Sequence, residues 1–149
     1  MKSKEIKLYN ILFPIWFIIL IPMSWLVILP GNFIIDSLVL LLTMKATRIV
    51  GRKEMYKKTI LKIWLFGFIS DIIGAAFLFV TIMGFELAIP GEDYLYLTIA
   101  VLISAVFIFI FNYKVSFKGY DRATRFKMAL SFAIFTAPYT FLIPLDWIY

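Results

Sequence analysis

The Lys and Arg residues of this 149-residue chain are confined to three short stretches, and long apolar runs separate those stretches. The stretches cover residues 2–7, 45–62 and 114–127, and they contain all fifteen basic side chains. The positive-inside rule produces this distribution, because basic segments stay in the cytoplasm while the apolar runs between them enter lipid. A hydrophobic content of 63% agrees, since a globule of this length has too little interior to hide it. We therefore expect an integral membrane protein.

The apolar runs predict an all-α, polytopic transmembrane bundle that forms a single domain over residues 1–149. The predicted spans are 8–29, 33–50, 59–85, 94–113 and 126–148. Each is near the ~20 residues that cross ~30 Å of hydrocarbon. Pro30-Gly31-Asn32 predicts a turn between the first two spans.

Basic residues flank both ends of the apolar block 8–44, and by the positive-inside rule both ends lie on the same side of the membrane. The chain must therefore return to the side on which it started. Two crossings satisfy this requirement, and so does a re-entrant segment over 33–50, which stays an open alternative. Five crossings place the N-terminus in the cytoplasm and the C-terminus outside. The predicted outer loop at 86–93 carries acids and no base, in agreement with this orientation.

The chain has no Cys and no His. This composition excludes thiolate or imidazole metal sites, His-ligated haem and a Ser-His-Asp triad within the chain, and we expect no cofactor. Nucleic-acid binding is not expected either, because the bases flank apolar spans, where they meet anionic lipid headgroups on the cytoplasmic side. Richness in Ile, Lys, Phe and Tyr hints at a bacterial source and a cytoplasmic membrane. The remaining expected partners are a second copy of the chain or another membrane protein.

Asp71 is the ionisable residue that lies deepest in a predicted span, ~18 Å from its start at 1.5 Å per residue. Gly67, Ser70 and Gly74 share its helical stripe, and small residues on a stripe permit close helix packing. We therefore expect Asp71 to face the bundle interior. It either hydrogen-bonds neighbouring helices or binds and relays an ion or proton, and the sequence leaves both roles open.

Asp36 lies one turn beyond the predicted turn, roughly 5 Å into the second span. A carboxylate there favours the positive end of the helix dipole, so Asp36 either caps its helix or forms the outer station of a polar path to Asp71. An aspartic dyad would need the two carboxyls to share one water, and these unequal depths disfavour it.

The fifth predicted span carries a second small or polar stripe. Ala133 and Ala137 favour helix packing, whereas Thr136 and Thr140 are candidates for a hydroxyl-lined groove opposite Asp71. A weaker stripe in the fourth span runs from Ala100 through Ser104 and Ile108 towards Asn112.

These features favour an ion- or proton-linked transporter or channel, or a subunit of one, with Asp71 and Asp36 as the binding candidates. The alternative is a non-enzymatic accessory, assembly or immunity-type membrane protein, for which packing faces and basic loops suffice. Catalysis is less favoured, because the sequence contains no recognisable catalytic constellation.

Overall fold

The computed structural model describes residues 21–84 and 93–142, and within those ranges the chain is helical apart from short turns, with no strand. The helices are α1 (Trp25–Ala46), α2 (Arg52–Leu78), α3 (Asp93–Phe111) and α4 (Arg122–Phe135). A 3-10 turn, Pro22–Ser24, precedes α1, and another, Tyr139–Leu142, follows α4. Helices α2 and α3 continue as π-helical segments, Phe79–Gly84 and Asn112–Ser116.

Among the described residues, three stretches are long and apolar enough to cross a membrane: Pro22–Ala46, Arg52–Thr81 and Tyr94–Ser116. The outer surface of the described bundle is apolar; on α1, for example, Leu26, Val27 and Leu42 are exposed. Asp36, Asp71 and several hydroxyl-bearing side chains are buried instead. Apolar residues outside and polar residues inside are typical of a bundle surrounded by lipid. The chain is a multi-pass helical membrane protein.

The turn predicted at Pro30-Gly31-Asn32 is wrong, because α1 passes through it without a break. Proline is tolerated inside membrane helices where neighbouring groups satisfy the disturbed backbone. Beside the proline, the indole Nε1 of Trp64 on α2 donates a 2.8 Å hydrogen bond to the carbonyl of Leu29, which holds α2 against α1 at this point. The boundary between the first two predicted spans at 29–33 is therefore incorrect, and the segment 33–46 belongs to a longer helix that began earlier.

The continuous fifth span predicted from 126 to 148 is also wrong within the described residues, because α4 ends at Phe135. Its 14 residues reach about 21 Å, short of the ~30 Å of hydrocarbon. Pro138 explains the end, since its ring has no N–H to offer Ile134 and disfavours helical geometry at the preceding residue. The hydroxyl of Tyr139 donates to the carbonyl of Ile134 instead.

Two hydrophobic clusters form the core of the described bundle. The first includes Phe68, Ala75, Leu78, Val101 and Phe141, and the second includes Leu40, Met44, Ile63, Ile108 and Phe132. Helix α2 packs against both α1 and α3, and α4 closes the bundle against α3 and α1. Helix α3 therefore supplies residues to both clusters, with Ser104 between Val101 and Ile108.

The turns 47–51 and 117–121 meet at one end of the bundle, where residues from both line a common pocket. We call this the basic end, because the second and third basic stretches surround it. The first basic stretch, residues 8–20 of the first predicted span, the predicted outer loop before Asp93 and residues 143–148 of the fifth predicted span lie outside the described residues.

Candidate functional site

Asp36 and Asp71 come together between α1 and α2. Only 4% of Asp36 and 7% of Asp71 is exposed. A Cβ atom built on Gly67 would lie 3.6 Å from the Oδ2 atom of Asp36, and Gly67 is one helical turn before Asp71. The carboxyl group of Asp36 therefore faces the stripe of α2 on which Asp71 lies. We refer to Asp36 and Asp71 as the carboxyl pair.

The sequence-based depth of Asp36 is corrected by the course of α1. Counted from Trp25, Asp36 is roughly 16 Å along α1 at 1.5 Å per residue, near the middle of the helix. The earlier estimate of ~5 Å assumed that a helix began after Asn32. Asp36 therefore does not cap a helix start, and it lies at mid-helix beside Asp71.

The hydroxyl groups around the carboxyl pair are already engaged. Ser70 Oγ donates to the carbonyl of Phe66 at 2.7 Å, and Ser104 Oγ donates to the carbonyl of Ser70 at 3.0 Å. Oδ1 of Asp71 is buried and has no hydrogen-bond partner among the described residues. A buried polar atom without a partner carries a desolvation penalty of about 1–3 kcal/mol, so this oxygen is a strong candidate for a bound proton or ligand.

Gly74 sets the spacing between α2 and α3 next to the carboxyl pair. A Cβ atom there would overlap Ser104 Oγ and lie 3.0 Å from the carbonyl oxygen of Ala100. Only a residue without a side chain allows the two backbones to approach this closely. The close approach brings Ser104 within hydrogen-bonding distance of the α2 backbone.

A buried polar stripe on α3 leads from the carboxyl pair towards the basic end. Ser104, Ile108, Asn112 and Ser116 recur every four residues, and all are buried. Both side-chain polar atoms of Asn112 and the Oγ atom of Ser116 have no hydrogen-bond partner within the described ranges. These two residues lie in the π-helical segment, a distortion common at functional sites. The four-residue spacing of Asn112 and Ser116 can be read from the sequence, but that spacing alone does not identify either residue as part of a site.

The candidates in the fifth predicted span are placed differently. Thr136 Oγ1 donates to the carbonyl of Phe132 in its own helix, and Thr140 is exposed. Ala137 is buried in the first hydrophobic cluster, and Ala133 packs against the second. The structure therefore packs both alanines into the hydrophobic core, and it engages the Thr136 hydroxyl within its own helix.

No three Asp, Glu, Cys or His side chains within residues 21–84 and 93–142 are grouped as metal ligands. The arrangement instead places two carboxyl groups in apolar surroundings between α1 and α2. Comparison of the chain with protein-family models, with curated proteins and with solved structures finds no match.

Proposed function

We propose that this membrane protein is a proton-linked transporter or channel, or a subunit of one, and that the carboxyl pair is its proton-binding station. The observation that carries the proposal is the burial of Asp36 beside Asp71 with no basic partner among the described residues. Two ionised carboxylates in an apolar interior repel each other, and a proton held between them removes that repulsion. Intramembrane acids of this kind commonly form ion pathways and proton relays.

A proton suits the site better than a metal cation does. The two neighbouring serine hydroxyls donate to backbone carbonyls, and the close approach at Gly74 leaves no space on the α3 side of Asp71. A hydrated cation needs six or more oxygen ligands and room for them, whereas a proton needs one oxygen and a hydrogen-bonded route. The stripe through Asn112 and Ser116 supports such a route towards the basic end.

The described helices are few for a complete alternating-access machine. We therefore propose that the protein acts as a homo-oligomer or together with another membrane protein. By the positive-inside rule the basic end would face the cytoplasm, and the bilayer would be the cell's cytoplasmic membrane. Anionic headgroups on that side would then meet the basic stretches.

Proton flux into proteoliposomes tests the proposal. Purified protein is reconstituted with a pH-sensitive dye inside the vesicles, and flux is driven by a potassium diffusion potential. We expect Asp71→Asn and Asp36→Asn each to lower the flux at least about tenfold, because each removes a group that accepts and releases the proton. Asp121→Asn, the same change at an exposed turn, is the matched control and should leave the flux unchanged.

Unchanged flux in Asp71→Asn, with the variant folded and inserted, would refute the proton station. Flux that is absent from the wild-type protein, reconstituted together with any membrane protein that co-purifies with it, would also refute it. The thermal midpoint of each variant in detergent separates loss of the relay from loss of the fold.

The second candidate function is an accessory, assembly or immunity-type membrane protein. Tight packing around Gly74 favours it, as does the fact that Asp36 and Asp71 line neither the pocket at the start of α2 nor the one between Tyr113 and α4. In that case the carboxyl pair would be a structural contact between helices. Co-purification of a defined partner in mild detergent, with no flux from the chain alone, would favour this function.

A further inference from the structure

A strongly charged cavity lies at the basic end of the described bundle, away along the helices from the carboxyl pair. It has a volume of about 500 Å³ and lies between the start of α2 and the turn that precedes α4. Three lysines line it, Lys58, Lys62 and Lys118, together with one acid, Glu54. We call it the basic pocket.

The charges in the basic pocket are unbalanced. Glu54 pairs with Lys58 at 2.6 Å, which is the one salt bridge within the described residues. Lys62 and Lys118 therefore have no acidic partner there. Two uncompensated ammonium groups around one cavity favour an anionic ligand.

Backbone donors add to this preference. Helix α2 begins at the pocket, and its N-cap residue, Gly51, provides no side-chain acceptor. Gly51 has a φ of +76°, which glycine adopts without strain and which turns the chain into the helix. The first N–H groups of a helix lack intrahelical acceptors, and together with the helix dipole they attract phosphate.

Ser116 supplies an independent observation that points to a ligand. It lines the basic pocket, only 5% of it is exposed, and its Oγ atom has no hydrogen-bond partner among the described residues. The hydroxyl of Thr59, the other small polar residue in the lining, is engaged with the carbonyl of Met55 at 2.8 Å. Ser116 thus places a buried hydroxyl with unused hydrogen-bonding capacity beside the basic pocket.

We propose that the basic pocket binds a phosphate group, held by Lys62, Lys118, the N-terminus of α2 and the hydroxyl of Ser116. The phosphate belongs either to an anionic lipid headgroup or to a free phosphate compound, and both present the same oxygen atoms. The location favours neither source over the other, because the pocket lies where the apolar helices end. This site is independent of the carboxyl pair and does not depend on proton transport.

The test measures the thermal midpoint of the protein in nanodiscs. Phosphatidylcholine discs are compared with discs that contain phosphatidylglycerol, and inorganic phosphate is titrated into the phosphatidylcholine discs against chloride at equal ionic strength. Stabilisation only by phosphatidylglycerol identifies a headgroup as the source, and stabilisation by inorganic phosphate identifies a free compound. Either result supports the site, and stabilisation by neither overturns it.

Variants separate a built pocket from general surface charge. The double variant Lys62→Gln, Lys118→Gln should bind the stabilising ligand, phosphatidylglycerol or inorganic phosphate, about tenfold or more weakly than the wild-type protein does. The reason is that charge-assisted hydrogen bonds are lost. Lys53→Gln with Lys57→Gln removes the same charge from exposed positions that do not line the pocket. This control should weaken the affinity less than about threefold.

Ser116→Ala is a third variant that changes no charge. It should weaken the affinity about fivefold through the loss of one hydrogen bond. Equal losses in the two lysine pairs, with no effect of Ser116→Ala, would show attraction to a charged surface only and would overturn the proposal.

Discussion

The carboxyl pair and the basic pocket are the two charged regions of the described bundle, and they differ in how the surrounding structure accommodates charge. The carboxyl pair lies between packed helices, beside a glycine at which the backbones of α2 and α3 nearly touch. The basic pocket lies where two turns meet and encloses about 500 Å³. Charge at a helix end is hydrated at little cost, whereas charge inside the bundle must be neutralised or put to use. The stability of the region around the acids should therefore depend on side-chain shape and on protonation. The stability of the region around the lysines should depend on bound ligands and on salt.

The largest expected effect comes from adding one methyl group in each region. Gly74→Ala should lower the free energy of unfolding in detergent by about 3 kcal/mol, because the new Cβ atom meets backbone as well as the Ser104 side chain. Gly119→Ala, at a position in the turn next to the basic pocket with nothing within 4 Å, should change it by less than about 0.5 kcal/mol. Equal effects of the two substitutions would remove the contrast in packing.

A double-mutant cycle on the carboxyl pair tests whether the acids are coupled. The effects of Asp36→Asn and Asp71→Asn on the free energy of unfolding should be non-additive in the double variant by roughly 2 kcal/mol, because either single change already breaks the contact in which the two groups share a proton. The corresponding cycle of Lys62→Gln and Lys118→Gln should be additive within about 0.5 kcal/mol in phosphate-free buffer, since water and salt screen the lysines. An additive result for the acids would mean that they do not act as a pair.

Asn112 lies on the stripe between the two regions, and a substitution there is expected to change stability and proton flux in opposite directions. Asn112→Leu should stabilise the protein by about 1 kcal/mol, because it replaces a buried amide without partners by an apolar group of similar shape. If the α3 stripe conducts protons, the same variant should also lower the flux. A destabilised variant with normal flux would show that the amide serves packing and is not part of a route.

The smallest effect is expected at the basic end, where Asp121 caps α4 by accepting a 3.0 Å hydrogen bond from the N–H of Thr124. Hydrogen bonds from Thr124 lower the pKa of Asp121 below its ordinary value of 3.8. The folded state therefore gains stability from the ionised carboxylate above that ordinary value. The gain is lost as the pH falls through the lowered pKa, because protonation then becomes favourable in both states.

The measurement is the difference in unfolding midpoint between wild-type protein and Asp121→Asn across pH. Asn keeps a capping oxygen but does not titrate, so the difference should be small and constant near neutral pH and should disappear in acid. A difference that does not vary with pH would show that the charge of Asp121 contributes nothing to the cap.

Two prolines show where local sequence signals failed. Pro30-Gly31-Asn32 has the residues of a turn, yet α1 continues through it, because in an apolar environment a helix satisfies backbone groups better than an unpaired turn does. Pro138 lies in a stripe with good helical periodicity, yet α4 stops before it. In both cases a side chain from outside the local pattern bonds a backbone carbonyl close to the proline. Trp64 of α2 donates to the carbonyl of Leu29 beside Pro30, and Tyr139 donates to the carbonyl of Ile134 ahead of Pro138. Such partners cannot be identified from a local pattern.

The sequence alone determined that this chain is a helical membrane protein. It also determined that the basic residues are confined to short stretches, two of which surround one end of the bundle. It also identified the stripe of Asp71 with Ser70 and Gly74, because the spacing of residues on a helix defines a face regardless of what packs on it. Tertiary structure decided that Asp36 lies beside Asp71, and that Ser116 and the lysines surround a common pocket. Those neighbours come from different helices, and their distances depend on where each helix begins and how closely the backbones pack. The register between helices is a property of the packed bundle, which no single segment contains.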